Sequence, residues 1–72
     1  MNGRWLNIFP AELEIGDSWG ERGEIVELHQ DIESYEWRIV LCQPNGSTWV
    51  ENGWPEAAPM RVFRPEFLIG EG

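Results

Sequence analysis

Apolar residues fall along this chain in short runs rich in Ile, Val and Trp, with a glycine or proline interrupting them every few positions. Strands bounded by such breakers are the pattern of a small all-β domain, and a long helix has no uninterrupted stretch in which to form. Trp5-Leu6-Asn7-Ile8-Phe9 reads as an edge strand or as a short turn closing against the core. Pro10-Ala11-Glu12-Leu13 suits one helical turn, and Leu13-Glu14-Ile15 leads into a turn at Gly16-Asp17. Gly20-Glu21-Arg22-Gly23 is a loop. From Glu24 to Ile32 one alternation predominates, with Val26, Leu28 and Ile32 on one side and Glu27, His29 and Asp31 on the other. Ile25 breaks it, which predicts either a β-bulge or a strand start that is apolar on both sides.

After the polar connection Glu33-Ser34-Tyr35-Glu36 comes the strongest strand, Trp37 to Cys42. Trp37, Ile39 and Leu41 lie on its buried face, and Arg38, Val40 and Cys42 on a half-apolar one. Pro44-Asn45-Gly46-Ser47 follows, and an Asn-Gly pair supplies the left-handed conformations of a tight hairpin, so residues 37–43 should pair antiparallel with Ser47 to Glu51. Asn52-Gly53-Trp54-Pro55 reads as another turn and Glu56 to Pro59 as a connection. Met60 to Arg64 is the last strand, with Met60, Val62 and Arg64 opposite Arg61 and Phe63. Pro65 ends ladder donation, and Glu66 to Ile69 is a further short strand or a docked tail.

With 72 residues, a chain buries only about 60% of the surface its unfolded form exposes, so residues 1–72 are expected to form one domain with a thin core. Five tryptophans can fill much of it, since each aromatic buries roughly 150–250 Å² with few rotatable bonds. There is no lysine among the five basic residues, which excludes a Walker lysine, a Schiff base and the kinase ion-pair lysine. One cysteine and one histidine exclude an intrachain disulfide and a zinc site of Cys and His alone. No signal peptide or membrane span is visible. An unpaired Cys42 points to a reducing cytoplasm, and Asn45-Gly46-Ser47, a glycosylation sequon in form, is better read as a turn.

The formal charge is -8, and it is concentrated. Between Glu12 and Glu36 stand Glu12, Glu14, Asp17, Glu21, Glu24, Glu27, Asp31, Glu33 and Glu36, with only Arg22 against them. The rest of the chain is nearly balanced. Such a field repels phosphate backbones and anionic lipid and attracts basic partners. Its simpler role is a solvated face that aids solubility.

The outline Leu13-x-Ile15-Gly16-Asp17, a loop, Gly23-x-Ile25-Val26-x-Leu28, the Trp37 to Val50 hairpin and Val62 on a closing strand resembles the small SH3-like barrel, including KOW and Tudor-type modules. The resemblance covers roughly residues 12–64. It implies a single small SH3-like barrel of about five antiparallel strands. KOW-type modules carry basic residues in the corresponding loop, whereas Glu21, Glu24 and Glu27 stand here. Brevity, absence of lysine and abundance of tryptophan also resemble small accessory proteins of bacteriophages, which would make the compartment the host cytoplasm.

Nine carboxylates in one segment make chance pairs abundant, so paired-carboxylate catalysis has no specific signal. His29 falls on the polar face of its strand and no Gly-x-Ser-x-Gly elbow accompanies it. Cys42 reads as a small core side chain, with only Arg38 on its face to activate it. The glycine-rich segment from Gly16 to Gly23 lacks a lysine or a following helix to cradle phosphate. Weak Ca²⁺ or Mg²⁺ binding by Asp17, Glu21 and Glu24 would not follow the EF-hand spacing. No catalytic residue, metal or cofactor is assigned.

Among the tryptophans, Trp37 and one of Trp5 and Trp49 are expected in the core. Trp19 and Trp54 sit in turns, where each either stands exposed as an interface anchor or folds back over an open barrel end. The leading expectation is a non-enzymatic protein-interaction module. Its acidic field of Glu21, Glu24, Glu27, Asp31, Glu33 and Glu36, with Trp19 and Trp54 as anchors, docks a basic protein surface. In a phage setting the partner is a host factor. The alternatives are a homo-oligomer or virion component paired through edge strands, and a weak nucleic-acid binder through Arg38, Arg61 and Arg64.

Overall fold

The computed structural model describes residues 2–69 and contains five antiparallel strands, β1 (Gly3–Ile8), β2 (Glu24–Gln30), β3 (Trp37–Cys42), β4 (Thr48–Trp54) and β5 (Met60–Pro65). A four-residue helix, α1 (Glu66–Ile69), follows, and 3₁₀ turns occupy Pro10–Glu12 and Gly20–Arg22. The chain is all-β. Two ladders form, β1–β5 and β2–β3–β4, and they do not close into a barrel. Ser18 links them: its N–H donates to the Phe63 carbonyl at 2.9 Å, its carbonyl accepts from the Phe63 N–H at 2.8 Å, and it also bridges to Glu24.

The β3–β4 hairpin has the expected register, with Cys42 opposite Thr48, Val40 opposite Val50 and Ile39 opposite Glu51. Of Asn45 and Gly46 only the glycine is left-handed, at φ 91°. Ser47 accepts from the Gln43 N–H at 2.8 Å and donates its own N–H to Asn45 Oδ1 at 2.8 Å. Beyond Glu51 the expected turn at Asn52-Gly53-Trp54 gives way to continued strand. Gly53, at φ 74°, accommodates the irregularity that brings Trp54 opposite Trp37. The indole of Trp54 is then half-buried on the core and donates to the Ala58 carbonyl at 2.8 Å.

Strand β2 carries the bulge that Ile25 foreshadowed. Ile25 pairs with Leu41 and Glu27 with Val40, leaving Val26 as the extra residue. The extra residue shifts the alternation: Ile25 is buried and Leu28 packs on the core, while Val26, expected inside, is exposed. Ile32, also expected on the apolar side, lies past the end of the strand and is 86% exposed. Cys42 is likewise corrected from core to surface, because it shares the outer face of β3 with Arg38.

The core cluster is Leu13, Ile25, Ile39, Leu41, Met60 and Val62, with Leu6, Ile8, Leu28 and three half-buried indoles packed around it. Its small size follows from the shape, 37 × 29 × 16 Å, since a molecule two layers thick has few positions remote from water. Glu66 to Ile69, expected as a strand or docked tail, forms α1. The Glu66 N–H donates to the Asn2 carbonyl at 3.0 Å, and the Leu68 side chain covers Gly16 so closely that a methyl group there would collide with it.

Candidate interaction surface

A polar centre that joins the two ladders organises the acidic segment. Asp17 is wholly buried and receives both arms of Arg64, from Nε to Oδ1 at 2.9 Å and from Nη2 to Oδ2 at 2.8 Å. Oδ2 also accepts from the Glu14 N–H at 2.9 Å. Arg64 Nη2 donates further to the Glu12 carbonyl at 2.9 Å, and Nη1 lies 3.7 Å from Glu14 Oε2. The hydrogen bonds to Asp17 outweigh burial and, with the surrounding carboxylates, raise the Arg64 pKa above the ordinary arginine value. A charge on the core face of β5, beside Met60 and Val62, requires such a partner. The strand register is the signal for this pair, but the two residues are 47 positions apart and nothing local names Asp17. Asp17 is therefore a structural anchor, removed from any cation site with Glu21 and Glu24, and Arg64 is removed from the arginine set considered for nucleic acid.

The six field residues are all exposed. Glu21 is on the second 3₁₀ turn, Glu24 and Glu27 are on β2, and Asp31, Glu33 and Glu36 are in the β2–β3 connection. Three residues apart on a regular strand, Glu24 and Glu27 would point to opposite faces; the bulge at Val26 returns both to the outer face, opposite Cys42 and Val40. In the connection, Asp31 Oδ1 accepts from the N–H groups of Glu33 at 2.7 Å and Ser34 at 3.1 Å. Those bonds hold its carboxyl below the ordinary aspartate range. Tyr35 completes the turn with φ 63°. His29 Nε2 sits 3.0 Å from Glu27 Oε1, both exposed. A cleft of about 480 Å³ opens beside this region, lined by Asp31, Glu36, Trp37 and Arg38 among others.

The tryptophans divide only partly as expected. Trp19 and Trp54 fold back onto the core and meet edge to face, with centroids 5.1 Å apart at 88°. Of the two placements their turn positions allow, exposed anchor or folded back, this is the second. Trp37 packs on the core as expected, but Trp5 and Trp49 are 50% and 40% exposed, so neither is a core residue. The reason lies in strand position: β1 and β4 pair on one side only, and their side chains lack neighbours there. Trp5 meets Phe63 edge to face, with centroids 5.5 Å apart at 67°, and lies beneath Arg61 at 5.2 Å. Trp49 faces Arg22, whose Cζ is 5.6 Å from its ring and 4.4 Å from that of Trp19. Trp19, Glu21, Arg22, Gln43 and Trp49 line a second cleft of about 470 Å³.

No protein-family model matches the chain, and no characterised protein or solved structure is significantly similar to it. Among the described residues, no helix is long and apolar enough to cross a membrane.

Proposed function

We propose that the chain is a non-enzymatic protein-interaction module whose acidic surface docks a basic partner, a host factor in a phage setting. One observation carries this reading. Six exposed carboxylates are displayed on β2 and the segments flanking it, while Glu12, Glu14 and Asp17 from the same acidic stretch surround Arg64. Among the described residues the field is thus free of the ion pairs that would neutralise it, apart from the Glu27–His29 contact. Binding of an arginine-rich peptide, followed by calorimetry from low to high salt, tests the reading. Affinity should fall as salt screens the field, and fall again in a Glu24→Gln/Glu27→Gln/Glu33→Gln variant. Salt-insensitive binding, or no binding, defeats it.

A second reading has its own observation: β4 is an outer strand with Thr48, Trp49 and Val50 exposed, and a free edge can pair with a second copy. The net charge of -8 opposes that association. Light scattering at high protein concentration separates the two, since a strict monomer excludes the oligomer.

A further inference from the structure

Arg22 is an arginine without the partners arginines ordinarily take. The chain carries 13 acidic residues, yet among the described residues its guanidinium forms no ion pair and donates no hydrogen bond to protein; its contacts of note are the faces of Trp19 and Trp49. Both rings lie within the roughly 6 Å at which a cation is attracted to an indole face. The walls of this slot are firmly set. Trp19 is braced by Trp54 and by its N–H bond to the Gly23 carbonyl at 2.8 Å, and Trp49 is held in the β3–β4 ladder opposite Leu41. Its occupant is held less firmly, by stacking alone, from a 3₁₀ turn of three residues that begins at Gly20.

We infer that the slot between Trp19 and Trp49 receives an arginine side chain of the basic partner, and that Arg22 fills it until that guanidinium displaces it. The inference deepens the proposed function and rests on it. The slot accepts a flat cation because it already holds one. Arginine suits it better than lysine, since a planar, weakly hydrated guanidinium stacks on indole faces and a compact ammonium keeps its water. Glu21 in the cleft wall and Glu24 nearby in sequence raise the local concentration of cations. The exchange replaces one arginine by another, so Arg22 acts as a built-in competitor.

The test uses an oligoarginine and an oligolysine peptide, read by the five tryptophan indole N–H signals in NMR and by calorimetry. Oligoarginine should shift the Trp19 and Trp49 signals and leave that of Trp5 in place, with oligolysine weaker. At high salt, where long-range attraction is screened, Arg22→Gln should tighten oligoarginine binding about two- to fivefold. Arg38→Gln, which removes the same charge outside the slot, should do less. Trp49→Leu should weaken binding by a similar factor; Trp49 is chosen because it is exposed, whereas Trp19 supports the core. Weaker binding in Arg22→Gln, equal shifts at Trp5, or indifference to both slot variants overturns the inference. If the slot variants are neutral while Glu24→Gln/Glu27→Gln weakens binding, only the slot falls. If oligoarginine fails to bind the unaltered protein at low salt, the proposed function falls with it.

Discussion

Arg64 and Arg22 present the same side chain in opposite surroundings. Arg64, 14% exposed in its side chain, satisfies Asp17 with two parallel bonds and a main-chain carbonyl with a third. Arg22 rests between two indoles without an acceptor from the described chain. The contrast shows what burial does to charge. A buried carboxylate left unpaired is costly, so Asp17 and Arg64 must be matched in geometry and number of bonds. At the surface water completes an arginine's hydrogen bonding, and stacking on an aromatic face contributes only a modest increment. One arginine therefore pins the Glu12–Asp17 segment to β5, and the other can leave its place at little cost.

The largest test of that contrast is Arg64→Met, which strands Asp17 as a buried charge. Denaturant unfolding should show a loss of about 3–5 kcal/mol, against a total of about 4–10 kcal/mol expected for a chain of this size. Arg64→Met/Asp17→Asn should recover part of it, and a loss below about 1 kcal/mol would mean that Asp17 reaches water and the contrast is false. Next comes the loop carrying Arg22. Gly23 has φ 106° and a methyl group there would collide with the Cys42 carbonyl, so Gly23→Ala should lower stability by at least about 2 kcal/mol. Thermal melts should show a smaller loss of roughly 1 kcal/mol for Gly20→Ala, where φ is 57° but the space is open.

Arg22→Gln should change unfolding stability by less than about 1 kcal/mol. A loss rivalling that of Arg64→Met would make Arg22 a structural residue. The smallest effect concerns Asp31, whose folded-state pKa is depressed by the N–H groups of Glu33 and Ser34. A depressed carboxylate contributes its full stabilisation above its unfolded pKa and loses it as pH falls through the folded value. Hydrogen exchange of the Glu33 and Ser34 amides should therefore be slower than in Asp31→Asn near neutrality, and the difference should vanish as pH falls through the acidic range in which the carboxylate takes up its proton. Protection that is the same in both proteins at every pH argues against the carboxylate's role in the turn.

Local order in this chain is legible where local forces produce it. The Trp37 to Glu51 hairpin follows from a continuous apolar run and an Asn-Gly turn, and the disturbed alternation at Ile25 correctly announces the bulge. Val26, Ile32 and Cys42 lie on the side opposite to the one alternation predicts, because one inserted residue, one strand end and one uncovered face each change burial without changing the residues themselves. Burial of the tryptophans depends on the same long-range packing. A turn position leaves Trp19 and Trp54 either exposed or folded back, and packing selects the second, with rings that reach the core and each other; Trp49 sits in a well-predicted strand whose outer edge pairs with no other described strand.

Spacing along the chain thus settles the strand content, the central hairpin and the concentration of charge in one segment, since these depend on alternation, turn conformation and sequence neighbours. Long-range packing settles the use of that charge. It withdraws Asp17 into the core with an arginine from the far end of the chain, rotates Glu24 and Glu27 onto one face through a single bulge, and sets Trp19 and Trp49 on either side of Arg22. Each of those outcomes depends on which surfaces meet, and burial energy, which decides between them, exists only after the ladders have come together.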